Sequence, residues 1–217
     1  MRLSYSGWKT HDQCPAKFKY SYIEKLPRGD SGPAAARGSE IHNSVDVYMQ
    51  GRSEEIHEEI RKHYGQWMMQ MREYRVQPEL KFGVDEDWQP TDFEDPNAAW
   101  RGMIDLPVLP EEGETELDWY EWKTGNIYSD HQFQSQLYGT IALVLHETAN
   151  IARVHNVYFD KKKTETREYL REDLEGYKFM WDQRRHTVMD DKIHPANPGW
   201  YCRYCDYGVA NNGPCPF

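Results

Sequence analysis

No apolar run in this 217-residue chain approaches the roughly 20 residues that a membrane-spanning helix needs. Residues 1–10 also lack the apolar stretch of about 7 to 15 residues that marks a secretory signal. The expectation is a soluble, cytoplasmic protein with no membrane partner. Cysteine is scarce, with four in all: Cys14, Cys202, Cys205 and Cys215. In a reducing compartment these are poor candidates for structural disulfides, and the crowding of three of them after residue 200 argues for metal ligation. Internal repeats, low-complexity tracts and a Gly/Ser linker are all missing, which favours one domain over residues 1–217. Positive charge is short as well. Against 36 acids stand 26 Lys and Arg, a net charge of -10, which excludes nucleic-acid binding by overall charge alone.

What is present redresses part of that. Residues 1–37 hold seven basic side chains (Arg2, Lys9, Lys17, Lys19, Lys25, Arg28, Arg37) against three acids (Asp12, Glu24, Asp30), a locally basic segment able to track a phosphate backbone. Residues 85–121 carry thirteen acids against the single Arg101. Most of that stretch reads as solvated surface, but such a density repels DNA unless some of the acids hold divalent cations. Aromatic residues make up 14% of the chain, with 8 Trp and 15 Tyr, enough large side chains to build a core from a hydrophobic fraction of only 38%.

Hydrophobic periodicity predicts helices over 34–49 and 54–74, strands over 79–84, 100–109 and 117–123, a helix over 129–147, strands over 152–159 and 164–170, and a helix over 172–189. The segment Pro110-Glu111-Glu112-Gly113-Glu114 is turn punctuation and joins two of these strands into a hairpin. If the turn centres on Gly113, antiparallel pairing sets Asp105 opposite Glu121. Like charges so placed are destabilising unless a cation sits between them, and oxygen-only ligands suit Mg²⁺ or Mn²⁺. Strand alternation puts Lys123 on the face of Glu121 and turns Trp122 to the opposite layer. An acid, then Glu-x-Lys, is the minimal set for metal-assisted phosphodiester hydrolysis. The cation lowers the pKa of a bound water, and the ammonium orients it or offsets charge on the phosphate.

Gly102-Met103-Ile104-Asp105 followed by Glu121-Trp122-Lys123 resembles the signature of PD-(D/E)XK nucleases. Arg37-Gly38-Ser39-Glu40-Ile41-His42 resembles the helix that donates a metal-binding histidine in the RecB-like branch of that superfamily. Gln134-Ser135-Gln136-Leu137-Tyr138 resembles the branch's Gln-x-x-x-Tyr motif. The resemblance runs from Leu3 to Phe217, with its features in the family's order. It implies an α/β restriction-endonuclease-like core, a central mixed sheet flanked by helices, and a DNA exonuclease acting in recombination, repair or replication. In that reading Asp105, Glu121 and His42 hold Mg²⁺ or Mn²⁺, Lys123 assists the attacking water, and Gln134 and Tyr138 position the strand. Taken alone, His42 is equally served by a hydrogen-bonded place at the core boundary, Gln134 and Tyr138 by the core edge, and Glu79 by solvent.

Cys202-x2-Cys205 is a metal-binding knuckle and Cys215 a third thiolate, in a tail of Pro, Gly and Asn that needs a staple. The setting of Cys14, between Leu3-Ser4-Tyr5-Ser6 and Pro15, resembles the N-terminal segment of RecB-like nucleases that carry an iron-sulfur cluster. That implies a 4Fe-4S cluster on all four cysteines, joining residues 1–30 to 195–217. A structural zinc satisfies the same thiolates, and His194 can replace Cys14 in such a site. Phage exonucleases and CRISPR-adaptation nucleases share the resemblance. The partners it implies are DNA, a single-strand-binding or recombination protein, and further copies of the chain, in a bacterial host cell where a phage encodes it. Two other readings stay open: a non-catalytic iron-sulfur or zinc protein that binds nucleic acid, and a structure-specific endonuclease of the same fold.

Overall fold

A computed structural model describes residues 1–29 and 32–217. Asp30, counted above among the N-terminal acids and the last residue of segment 1–30, lies outside the described residues. The chain runs through α1 (Tyr5–Gln13), α2 (Pro15–Phe18), α3 (Pro33–Met49), α4 (Glu58–Met71), β1 (Leu80–Val84), β2 (Pro90–Thr91), β3 (Trp100–Ile104), β4 (Leu106–Val108), β5 (Glu116–Lys123), α5 (His131–Leu145), β6 (Ile151–Tyr158), β7 (Lys163–Leu170) and α6 (Leu174–Asp190). Three strands order as β2-β1-β3 and four as β4-β5-β6-β7. All neighbours are antiparallel except β5 and β6, which pair in parallel through the α5 crossover. The four-stranded sheet is therefore mixed, and both its faces are covered.

On one face Leu117 and Trp119 of β5 join Ile104, Leu137, Ile141, Trp181 and Trp8 in a core shared with α1, α5 and α6. On the other, Trp122 packs with Leu106, Val157 and the apolar stripes of α3 and α4, including Ile41, Val45 and Ile60. Period-2 alternation along β5 thus feeds two cores, and Glu121 and Lys123 fall on the α5 side. The C-terminus of α5 is held by Arg171, whose guanidinium donates to Leu143 O and His146 O at 2.7 Å each, satisfying carbonyls that the helix leaves open.

The hairpin has the expected register: Leu106 pairs with Tyr120, Pro107 with Trp119 and Val108 with Asp118, around a turn in which Gly113 takes φ +89°. The strand predicted over 100–109, however, is broken at Asp105 into β3 and β4. The cause is the Asp105 side chain. Its Oδ2 accepts the Trp122 N–H at 2.7 Å, while its carbonyl accepts the Glu79 N–H at 2.9 Å. Beyond this point β3 pairs only with β1, and β5 runs on to Lys123 against β6 alone. A fork opens between β3 and β5.

Helices α1 and α2 were not expected from periodicity. Helix α1 starts at Ser4, whose hydroxyl accepts the Gly7 N–H at 3.1 Å, and α2 has Pro15 in its first turn. Much of the acidic stretch is ion-paired rather than simply solvated: Glu94 meets Arg2 and Arg101, Glu86 meets Arg185, and Glu116 meets Arg153.

Candidate active site in the strand fork

The fork gathers side chains from four elements. Asp105 sits at its apex, Glu121 and Lys123 line the free edge of β5, His42 projects from α3, and Gln134 and Tyr138 come from successive turns of α5. His42 Nδ1 lies 3.4 Å from Asp105 Oδ1. Lys123 Nζ donates to Glu121 Oε1 at 3.0 Å and to Gln134 Oε1 at 2.6 Å. Since an ammonium can only donate, the Gln134 carbonyl must face it, which leaves the amide nitrogen to donate to Glu121 Oε1 at 2.9 Å and to the Tyr138 hydroxyl at 3.2 Å. Tyr138 in turn donates to Met103 O at 3.1 Å. This relay ties α5 to β3 across the fork. Gly102 makes room for it, because a Cβ there would lie 2.6 Å from the Phe82 ring, which packs edge-on against Tyr138.

The charges are arranged for a cation. Glu121 is buried, and its Oε2 has no hydrogen-bond partner among the described residues. Burial first, then repulsion from Asp105, pushes its carboxyl up to about 7 against the pull of Lys123. Burial alone would lower the His42 pKa, but the hydrogen bond and charge of Asp105, with the charge of Glu121, outweigh it and raise the pKa. His42 and Asp105 thus stand together where positive charge is favoured, Glu121 feels the charge of both, and its orphaned oxygen is the kind of buried acceptor that a metal ion satisfies. Oxygen donors with one imidazole suit Mg²⁺ or Mn²⁺.

Asp46 was missed by sequence reasoning. It lies one helical turn after His42, is buried, and accepts from Gln50 Nε2 at 2.6 Å. Only its spacing of four residues from His42 could have singled it out. Glu79 is exposed, but partial burial and the charges of Asp46 and Asp105 push its carboxyl up, so it faces the acidic group without bonding to it. Arg37 does not reach the acids. It pairs with Glu59 and Asp160, and Asp160 accepts the Gly125 N–H at 2.8 Å, clamping the start of α3 to the chain leaving β5.

A groove beside the fork is lined by Lys123, Gln134 and His131 on one side and by Lys9 and Lys17 of the basic N-terminal segment on the other. Lys17 also borders a cavity lined by Cys14, Cys202, Cys205 and Cys215, all of them free thiols. The Asn197 N–H donates to Cys14 Sγ at 3.4 Å and the Gly199 N–H to Cys202 Sγ at 3.3 Å. The fold therefore carries Cys14 across to the three tail cysteines, and amide donors to sulfur of this kind suit metal-bound thiolates.

A family model for the PD-(D/E)XK nuclease superfamily matches residues 2–210. Among solved structures, a protein from Eubacterium rectale provisionally named an exonuclease aligns with a TM-score of 0.58 at 12% identity, over 97% of this chain and 88% of its own. The protein SSO0001 aligns with a TM-score of 0.48 at 14% identity, over 99% of this chain and 85% of its own. At such identities the first likeness is one of fold, and the second carries no argument. No curated protein matches the chain in sequence.

Proposed function

The chain belongs to the PD-(D/E)XK nuclease superfamily, and from that premise we propose that it is a divalent-metal-dependent DNA exonuclease of the RecB-like type, working as one domain over residues 1–217. The observation that carries the reading is the meeting of Asp105, Glu121, Lys123 and His42 in one fork, with a buried Glu121 oxygen left unpartnered. Asp105, Glu121 and His42 are the residues to hold Mg²⁺ or Mn²⁺. That ion supplies an acidified water and positive charge for the scissile phosphate.

The protein's own groups do the rest. Lys123 orients the attacking water and offsets charge building on the phosphate oxygens. Gln134 holds the Lys123 ammonium in place and, with Tyr138, fixes α5 against β3, so that the groups on both sides of the fork keep their spacing. Lys17, beside Lys9 in its ion pair with Asp130, gives the substrate backbone a positive contact despite the net charge of -10. In the RecB-like branch the histidine goes with exonuclease behaviour, so degradation from DNA ends is the proposed mode.

Cys14, Cys202, Cys205 and Cys215 are the residues to hold a 4Fe-4S cluster. Shared cavity walls, free thiols and amide donors on two sulfurs support this assignment. A zinc ion on the same thiolates is the alternative, and the brown colour of anaerobically purified protein separates the two.

Lys123→Ala is expected to lower cleavage of end-labelled DNA by on the order of a thousandfold, while circular dichroism and iron content stay as in the parent chain. EDTA is expected to stop the parent chain and Mn²⁺ to restore it. Undiminished cleavage by the variant, or in EDTA, rejects the mechanism. Internal nicking of circular DNA would move the assignment to an endonuclease.

A further inference from the structure

Away from the fork and the cysteine cavity, His11 of α1 meets Asp191 and His194 of the turn that follows α6. Their ligand atoms all lie within 4.8 Å of one another. His11 Nε2 is 2.9 Å and His194 Nδ1 3.4 Å from the same carboxylate oxygen, Asp191 Oδ2. Zinc bonds of about 2.0–2.2 Å to nitrogen and oxygen set neighbouring donors of a tetrahedral site about 3.3 Å apart. Both imidazole nitrogens already stand near that spacing from Asp191 Oδ2.

The surroundings aim them inward. Asp191 Oδ1 accepts the N–H groups of Ile193 at 3.0 Å and His194 at 2.8 Å, which leaves Oδ2 to face both imidazoles. Burial would raise the Asp191 pKa, but those amides and His11 outweigh it and hold the carboxyl at about 2, so it is ionised. His194 takes φ +51°, a left-handed backbone that His, like Asn and Asp, adopts more readily than most residues other than glycine. Its Nδ1 is buried and makes no hydrogen bond among the described residues, since the 3.4 Å approach to Asp191 lacks the alignment for one. A proton on His11 satisfies one ring only, whereas a shared cation satisfies both rings and the carboxylate. Phe18 packs against both rings.

We propose that His11, Asp191 and His194 bind a zinc ion, with water in the fourth position, at a site separate from the acidic fork and from the thiolates. A donor set dominated by two imidazoles, with one carboxylate, suits zinc better than magnesium, which favours a majority of oxygen donors. The ion clips α1 to the start of the C-terminal tail. Cys14 lies three residues beyond His11 and Asn197 three beyond His194, and the Asn197 N–H reaches Cys14 Sγ. The Ala16 N–H likewise donates to Pro195 O at 3.2 Å. Zinc therefore presents Cys14 to the tail cysteines, which makes it an organising site for the two ends of the chain.

The test uses the full chain, purified anaerobically with its iron, and carrying Asp105→Asn so that the fork does not compete. Cobalt(II) is titrated in as a visible stand-in, and zinc is then used to displace it. One cobalt per chain is expected, with the absorption of four-coordinate nitrogen and oxygen ligation and no thiolate charge-transfer band. His194→Gln and His11→Gln are each expected to weaken uptake at least about tenfold at unchanged iron content. Failure to take up cobalt or zinc, a thiolate band, or uptake by the histidine variants equal to the parent's overturns the proposal. Should the buried His11 variant misfold, X-ray absorption on the zinc-loaded parent decides alone. Imidazole nitrogens in the first shell support the site, and sulfur or oxygen alone rejects it. None of these outcomes depends on whether DNA is cleaved.

Discussion

Glu121 has one oxygen bonded to Lys123 and Gln134 and the other bonded to nothing, so its ionisation depends on what arrives beside it. With its carboxyl pushed up to about 7, the folded metal-free protein holds a proton here that the unfolded chain releases near the ordinary value of 4.5. The resulting stabilisation is complete below that ordinary value and is lost as pH rises through about 7. A cation reverses the preference by displacing the proton. Mn²⁺ binding followed by calorimetry is therefore expected to tighten between pH 6 and pH 8, with protons released to the buffer, and Glu121→Gln is expected to reduce that release to the share His42 contributes. Affinity that is flat across this range would deny Glu121 a place among the ligands.

At the scale of elements, α5 carries two of the fork's side chains and must lie close to the sheet for them to reach. Gly139 allows this: a Cβ there would stand 2.1 Å from the Tyr169 ring of β7. Gly139→Ala is expected to cost about 1–3 kcal/mol in urea unfolding through overpacking, although alanine is the better helix former. Adding Tyr169→Leu should return part of the loss, and a stabilised single variant would contradict the packing argument. The longer elements were legible in the sequence because apolar spacing is local, and α3, α5, β5 and β6 fall within a few residues of their expected limits. The break at Asp105 was not legible. A period-2 pattern cannot tell a residue that continues a ladder from one whose carboxylate captures the neighbouring strand's N–H. Nor does α1 announce itself, with Trp8 and His11 buried among polar neighbours.

Over the whole molecule, the ends of the chain meet. Cys14 and the tail cysteines line one cavity, and closing so long a loop removes much of the unfolded chain's freedom. Stripping the proposed cluster with an oxidant and chelator is expected to cost about 3–5 kcal/mol of stability, read as a lower midpoint in urea. Limited proteolysis should then cut first within residues 195–217 and leave the fork's helices and sheet intact. A tail equally resistant before and after iron loss would show that packing alone holds it. No helix among the described residues is long and apolar enough to cross a membrane.

The sequence by itself determined the hairpin's register, the shared face of Glu121 and Lys123 and the residue types in the fork, because turn chemistry and side-chain alternation act over a few residues. Only the tertiary structure decided that Gln134 would bridge Lys123 and Glu121, and that His11 would meet Asp191 and His194. Those contacts join residues far apart in the chain. They follow from how the two cores pack the layers together, and no local pattern records that.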